Sequence, residues 1–203
     1  DSAGWKRPKR GRNYGRGVAL FGRHIGGGPT GIILSAEADG SFTVVSPTFD
    51  QGAGTHTILR QLVAEEMRVP IEQVRVMVGD TDTAPNDGGA RASRVTYVAG
   101  RAIVQACGEL RTQLIAQAAR MLECSPEEAD YGDGKFWLRE DSRQQVSLRR
   151  VVALARGPLS VTVQEDLPEP QDITYICAQV AEVEVDPETG EMRLHRFLTA
   201  HDV

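Results

Sequence analysis

The sequence has 203 residues, of which 40% are hydrophobic and 25% are charged, and its 23 Lys and Arg against 28 Asp and Glu give a net charge of −5. This composition excludes a disordered chain, which has fewer aliphatic residues, and a collagen-like chain, because the 21 Gly and 10 Pro follow no triplet period. No apolar run approaches the roughly 18 residues that a membrane-spanning helix needs. The length fits one domain or two small ones.

The first half of the chain predicts short strands followed by a helix. In chain order, the patterns predict a strand at 18–21, a glycine-rich loop at 26–29, and a hairpin of 31–36 with 41–45. Asp39-Gly40, at the turn of the hairpin, is the strongest short-range hairpin signal. The apolar residues of 55–68 recur at spacings of three and four, as on one face of a helix, and Pro70 ends that helix.

The second half is dominated by a long helix. A strand at 74–78 leads into a polar, turn-rich segment at 79–89, after which apolar positions keep a period near 3.6 from about Ser93 to Leu122. Ser125-Pro126-Glu127-Glu128 has the pattern of a capping box that begins a short helix. The remaining predicted elements are a small hairpin turned at 132–134, a third short helix at 147–155, and a hairpin of 174–185 with 191–203.

This mixture of elements predicts an α+β architecture, with mixed or antiparallel hairpins packed against one long and several shorter helices. The charge is uneven along it: six of the 23 basic residues lie within 1–16, which leaves 17 basic and 27 acidic residues in 17–203. The acidic body argues against a nucleic-acid surface. The basic lead-in at 1–16 is either a solvated linker or an arm that lies on a partner.

The cysteines indicate a reducing compartment. Cys107, Cys124 and Cys177 are too few and too far apart for a disulfide framework or a Cys-x-x-Cys metal site. We expect free thiols in the cytoplasm, with Cys107 and Cys177 in core positions. No apolar stretch follows the basic lead-in, as a secretory signal would require.

Two glycine-rich segments precede helices and are candidate ligand sites. The first is DQGAGTHT at 50–57, where small residues allow close approach, the helix start favours an anion, and Gln51 offers an amide to the edge of a heterocycle. The second, DGGARASRVT at 87–96, repeats this geometry with Arg91 and Arg94 as added charge. Plain turn chemistry is the alternative for each, but two such segments favour one shared phosphorylated ligand. Neither is a P-loop or a dinucleotide fingerprint.

Other polar residues predict no catalytic or metal site. Asp80, Asp82 and Asp87 lack the Glu-terminated spacing of an EF-hand, so we expect them to turn a loop and cap backbone groups. The four histidines lie in separate elements and do not predict a zinc site. No G-x-S-x-G elbow supports a Ser-His-Asp triad.

Taken together, these segments resemble the large, molybdopterin-binding subunit of the molybdenum hydroxylase family, to which xanthine dehydrogenase, aldehyde oxidase and carbon monoxide dehydrogenase belong. The resemblance covers nearly the whole chain in the family's order. It is carried by GVAL at 17–20, DQGAGTHT at 50–57, QLVAE at 61–65, VP at 69–70, GDTD at 79–82, Pro85, SR at 93–94, Thr96, Gly100, Ala106, VAEVEVD at 180–186, TG at 189–190 and AHDV at 200–203.

The resemblance implies where a cofactor binds. The two pterin-holding segments of the family fall on the two glycine-rich segments, whose amides and hydroxyls would hold molybdopterin and its phosphate, or a dinucleotide form in bacterial members. The implied cofactor-binding residues are Gln51, Gly52, Ala53 and Gly54 in the first segment, and Ala90, Ala92, Ser93, Arg94 and Val95 in the second. Many relatives have glutamine where Ala53 stands, so a side-chain bond to the cofactor is missing or shifted to Gln51.

The resemblance also implies that catalytic parts lie outside this sequence. In the family, a glutamate far towards the C-terminus is the general base, and the sequence ends at Val203 before it, so none of these residues is expected to be catalytic or to bind the metal. We expect an internal fragment, with a lead-in and a partial molybdopterin-binding domain at 17–203. Within that domain we expect a cofactor-cradle half at 17–123, a small insert of helix and hairpin at 124–173, and a hairpin that returns to the sheet at 174–203.

The parent protein would be a molybdenum-dependent oxidoreductase that hydroxylates aldehydes or N-heterocycles. Its expected partners are the rest of the catalytic subunit and iron–sulfur and FAD subunits or domains, with no nucleic acid. We expect the isolated fragment to be inactive, free of cofactor and self-associating, because its last strand presents an open edge. The alternative is a non-enzymatic binding or assembly module that kept the fold and lost the cofactor site, and Ala53 is the residue that suggests it.

Overall fold

A computed structural model describes residues 13–80, 82–155, 157–168 and 174–202. The chain divides between residues 25 and 26, and again between 171 and 172, into two compact units. The predicted lead-in at 1–16 lies mostly outside the described residues. Among the residues that are described, no helix is long and apolar enough to cross a membrane.

The unit formed by the two ends of the chain is a three-stranded antiparallel sheet. β1 (Tyr14–His24) pairs along its whole length with β9 (Thr174–Val185), which also pairs with β10 (Met192–His201). The predicted C-terminal hairpin is confirmed, and its turn is held by Asp186, whose carboxylate accepts the N–H of Glu188 at 2.8 Å. Alternation along β1 predicts a strand without naming its partner, which in the structure is β9.

The other unit contains a four-stranded sheet. In spatial order its strands are β4 (Val74–Val78), β3 (Phe42–Ser46), β2 (Gly28–Ala36) and β8 (Ser160–Leu167), and only the β3–β4 pair is parallel. The predicted hairpin of β2 and β3 is confirmed. Its turn places Gly40 at a φ of +83°, a region that favours glycine.

Two helices cover this sheet and form the core with it. α1 (Thr55–Glu66) buries Leu59 and Val63, in agreement with its predicted apolar face. The long predicted helix is present as α2 (Gly100–Leu122), preceded by a π-helical turn at Val95–Ala99. Each large aliphatic side chain buried here contributes about 1.5 to 3 kcal/mol. The fully buried core residues include Ile32, Leu34, Phe42, Val44, Ile103, Cys107, Leu110 and Leu114.

The small insert differs from prediction at one element. Ser125 donates its N–H to the Glu128 carboxylate at 2.8 Å, as in a capping box, but no helix follows, so this prediction is wrong. The chain enters a strand instead because Ala129 and Tyr131 alternate into the core. β5 (Ala129–Gly132), β6 (Lys135–Leu138) and β7 (Asp141–Ser147) form a sheet with the predicted tight turn at 132–134. The third predicted helix is present as α3 (Leu148–Ala153), with Ser147 as its N-cap.

Candidate functional site

The first glycine-rich segment is an exposed turn between β3 and α1. Gly52 and Gly54 adopt φ values of +94° and +78°, which side chains rarely tolerate. A Cβ built on either glycine meets no atom within 4 Å, so open space adjoins the backbone of this turn. The turn therefore presents its main chain to a ligand that approaches from solvent.

A carboxylate of the protein already occupies the start of α1. Asp50 Oδ1 accepts the N–H of Gly52 at 2.9 Å and that of Gly54 at 3.1 Å. Burial raises the pKa of Asp50, but these bonds, together with those from the amides of Thr55 and His56, outweigh it and lower the pKa. An anionic ligand at this helix start would have to compete with the charge of Asp50.

The second glycine-rich segment has unusual backbone geometry. Ala92 and Ser93 are consecutive non-glycine residues at φ values of +46° and +57°. Such conformations cost about 1 to 3 kcal/mol each and persist only where the surroundings fix them. One fixing contact is the bond from the Gly26 N–H to the Ala92 carbonyl at 2.9 Å. Ser93 is exposed immediately before the helical turn at Val95–Ala99.

Arg94, which the resemblance places among the cofactor ligands, directs its side chain into the protein. The residue is 1% exposed. It forms a buried ion pair with Asp87 at 3.4 Å, and the Asp87 carboxylate also accepts the Thr30 hydroxyl. Its guanidinium further donates to the carbonyl oxygens of Gly27 at 2.6 Å, Gly28 at 3.1 Å, Pro29 at 2.6 Å and Gly89 at 2.9 Å.

The two segments meet at a side chain. Gln51 Nε2 donates to the carbonyl oxygen of Ala90 at 3.3 Å, which joins residues that are 39 positions apart. Nine residues are expected to bind a cofactor, four in the first segment and five in the second. This contact brings the two segments to one exposed surface. Gln51, Gly52, Ala53 and Ser93 are exposed, Gly54, Ala90, Ala92 and Val95 are half-buried, and Arg94 is buried.

Thr48 is a buried polar residue beside the first segment that the sequence does not single out. Thr48 is 1% exposed, and among the described residues its Oγ1 is a buried side-chain atom with no hydrogen-bond partner. His56 also contacts the Thr48 carbonyl oxygen, with 3.3 Å between that oxygen and Nε2. Thr48 follows Pro47 in a plain loop sequence, so no motif marks it. An orphaned hydroxyl next to an open turn is the kind of group that a ligand or a water satisfies.

The aspartates of the intervening loop cap backbone groups. Asp80 accepts the Thr83 hydroxyl at 2.8 Å and the N–H groups of Asp82 and Thr83. The Thr83 side-chain bond is the largest cause that lowers the pKa of Asp80. The capping role predicted for Asp80 is confirmed, and Asp87 likewise accepts the Gly89 N–H at 2.5 Å while its carboxylate forms the buried pair with Arg94. Across the ranges that the structure describes, no three His, Cys, Asp or Glu side chains are grouped so that they could hold a metal ion.

Comparison with known proteins gives consistent matches along the chain. The family model described as molybdopterin cofactor-binding domain matches residues 2–203. The gamma subunit of the 6-hydroxypseudooxynicotine dehydrogenase complex of Paenarthrobacter nicotinovorans is 30% identical over 201 residues, which are 94% of this chain and 25% of that protein. The carbon monoxide dehydrogenase large chain of Hydrogenophaga pseudoflava is 29% identical over 206 residues, 93% of this chain and 26% of that protein. The chain thus spans about a quarter of the length of these relatives.

Solved structures confirm the α+β fold. The Cu,Mo-CO dehydrogenase in its carbon monoxide reduced state matches with a TM-score of 0.73 and 22% identity, over 98% of this chain and 27% of that chain. Quinoline 2-oxidoreductase from Pseudomonas putida 86 matches with a TM-score of 0.69 and 24% identity, over 93% of this chain and 27% of that chain.

Proposed function

The chain belongs to the family of molybdopterin cofactor-binding domains, and from that membership we propose that segments 50–54 and 90–95 together hold the cofactor of a molybdenum-dependent oxidoreductase. The observation that carries the proposal is the hydrogen bond from Gln51 to the Ala90 carbonyl, which places both segments on one exposed surface. When bound, the cofactor supplies a centre for two-electron oxidation. The substrates we propose are aldehydes or N-heterocycles, and relatives include an aldehyde oxidoreductase molybdenum-binding subunit from Escherichia coli.

The charges of the two segments suggest how they divide the cofactor. Asp50 places a negative charge at the start of α1, so this turn suits the uncharged heterocycle, which Gln51 and the open glycine backbone would contact. At the second segment, the charge of Asp87 is neutralised by the buried Arg94. The exposed Ser93 hydroxyl and the first N–H groups of the helical turn at Val95–Ala99 then suit the phosphate, because such groups lack partners one turn back. The residues present therefore fit molybdopterin.

Partners and location form part of the proposal. The two relatives named above are described as a subunit of a complex and as a large chain. We therefore propose that the parent protein works with iron–sulfur and FAD subunits or domains. The three cysteines are free thiols, which supports a cytoplasmic location. The isolated 203-residue chain would be inactive, and substrate oxidation by the purified chain would contradict this.

Cofactor content of the full-length protein that contains this chain tests the proposal. After expression with the machinery of cofactor synthesis, molybdenum is measured by mass spectrometry and released pterin by fluorescence after oxidation. We expect both at about one per chain. Gln51→Ala should weaken retention by about fivefold, because it removes a hydrogen bond worth about 1 kcal/mol.

The matched control is Gln145→Ala, which removes the same side chain from an exposed position in β7. It should retain the cofactor like the wild type. Absence of both molybdenum and pterin from the wild-type protein would contradict the proposal. That result would favour the binding or assembly module, in which the exposed Ala53 supplies no side-chain bond.

A further inference from the structure

Arg94 occupies a position from which it shapes the second segment without reaching solvent. Its guanidinium donates to five acceptors that come from two stretches of chain, 27–29 and 87–89. The stretches are also joined by the main chain, because the Gly88 N–H donates to the Pro29 carbonyl at 2.8 Å. The guanidinium therefore closes a gap between β2 and the loop that leads into the long helix.

Asp87 compensates the charge that Arg94 brings into the interior. Its side chain is 4% exposed, and its carboxylate accepts from Arg94, from the Thr30 hydroxyl and from the Gly89 N–H. Removing one member of such a pair strands the other as an uncompensated buried charge. Lysine is a poor replacement for Arg94, because a single ammonium with three donors cannot span carbonyls that a planar guanidinium reaches with five.

The strained residues lie immediately before this anchor. Ala92 and Ser93, at positive φ, are held on one side by the Gly26–Ala92 hydrogen bond and on the other by Arg94. Their conformation leaves Ser93 exposed at the helix start. The Gly88–Pro29 and Thr30–Asp87 hydrogen bonds also tie the loop to β2, but Arg94 adjoins Ser93 and donates to both stretches, so without it we expect Ala92 and Ser93 to relax to negative φ.

We infer that Arg94 is a positioning residue: with Asp87 it fixes the second segment in the shape that receives the cofactor phosphate, and it does not touch the phosphate itself. This inference rests on the proposed function. The competing explanation is that Arg94 is a direct phosphate ligand that leaves its pocket when the cofactor binds. The two explanations differ in what they require of Asp87.

The test compares Arg94→Lys, Asp87→Asn and the double variant in the full-length protein. The quantity measured is the rate at which bound molybdopterin is lost, followed by pterin fluorescence after gel filtration. If Arg94 positions the loop, each single variant loses the cofactor about tenfold faster than the wild type, the lower end of effects for residues that support a bound group. The double variant should be no worse than the poorer single variant, because both changes break one unit.

A direct ligand gives the opposite result for Asp87. Asp87→Asn would then hold the cofactor as long as the wild type or longer, because the guanidinium is released towards the phosphate. That outcome overturns the inference, and so does unchanged retention in Arg94→Lys. Leu114→Ala is the control for a merely structural effect, since Leu114 is fully buried but lies twenty residues further along the helix. It should lower the unfolding midpoint and leave the rate of cofactor loss unchanged.

A second measurement begins with the wild-type protein. In cofactor-free wild-type protein, hydrogen–deuterium exchange should show the Gly26 and Gly88 amides protected, because the loop is already fixed. Protection that arises only after the cofactor binds would overturn the inference. If the wild type held no molybdopterin while these amides were protected, and lost that protection in Arg94→Lys, the proposed function would fail and the control of the loop by Arg94 would stand.

Discussion

Gly31 is a position where a single added methyl group should disrupt the packing between β2 and the loop that leads to the candidate site. A Cβ at Gly31 would overlap the Cβ of Pro85, which lies in the loop that leads to the second glycine-rich segment. Gly31 is in the centre of β2, paired with Gln164 of β8, so the strand cannot move away without breaking its ladder. Pro85 must therefore shift, and overpacking of this kind costs about 1 to 3 kcal/mol.

Gly108→Ala is the control that isolates this cost. Gly108 lies inside α2, and a Cβ there meets nothing within 4 Å. Replacing it should stabilise the protein by about 0.5 to 1 kcal/mol, since alanine favours the helix and restricts the unfolded chain. Gly31→Ala and Gly108→Ala should therefore differ by about 1.5 to 4 kcal/mol, most of which comes from the overlap with Pro85.

Urea unfolding followed by circular dichroism measures both variants. Gly31→Ala should have the lower midpoint with an unchanged slope. Adding Pro85→Gly removes the overlapping atom and should recover most of the loss attributed to it, which appears as a coupling between the two positions. If Gly31→Ala were as stable as Gly108→Ala, the close packing of Pro85 against Gly31 would be contradicted.

Two further predictions concern titrating groups. Asp50→Asn should destabilise the protein near neutral pH, because hydrogen bonds from backbone amides lower the folded-state pKa of Asp50 against the raising effect of burial. The urea midpoints of the two proteins should converge as the pH falls below about 4, the pKa of an aspartate in the unfolded chain. A difference between the midpoints that stays constant down to about pH 3 would contradict this cause. Burial raises the pKa of Cys107 to about 12, so its thiol should react with a disulfide reagent at pH 8 only upon unfolding, while the half-buried Cys177 reacts first. Equal rates for the two thiols would refute the buried position of Cys107.

Local chemistry accounts for the parts of the fold that the sequence predicts correctly. The turns at Asp39-Gly40, 132–134 and 186–190 depend on residues within the turn, and all three are present. The capping box shows the limit of this logic. Its Ser125–Glu128 bond forms, yet burial of Ala129 and Tyr131 converts the next residues to a strand. Tertiary burial outweighs a local helix signal because the signal is worth only about 1 kcal/mol.

Long-range pairing is what the sequence leaves open. β1 alternates in a way that predicts a strand, but its partner β9 lies about 150 residues further along, and the pattern does not name it. The sequence analysis places Cys177 in a core position, whereas it is only half-buried in β9. The partner of β1 and the burial of Cys177 both depend on what lies against a strand. The alternation of apolar and polar residues along a strand does not contain that information.

The two glycine-rich segments show the same limit inside the candidate site. Each begins with an Asp-x-Gly turn, in which Asp50 accepts the N–H of Gly52 and Asp87 that of Gly89. The local geometry is thus repeated, and so is the aspartate. The electrostatic outcome differs because Asp50 stays exposed and caps its own helix, whereas Asp87 is buried against Arg94. The sequence predicts two equivalent anion sites at the two helix starts. In the structure, carbonyls more than sixty residues away hold Arg94 against Asp87, so only the second helix start is free of a competing carboxylate charge.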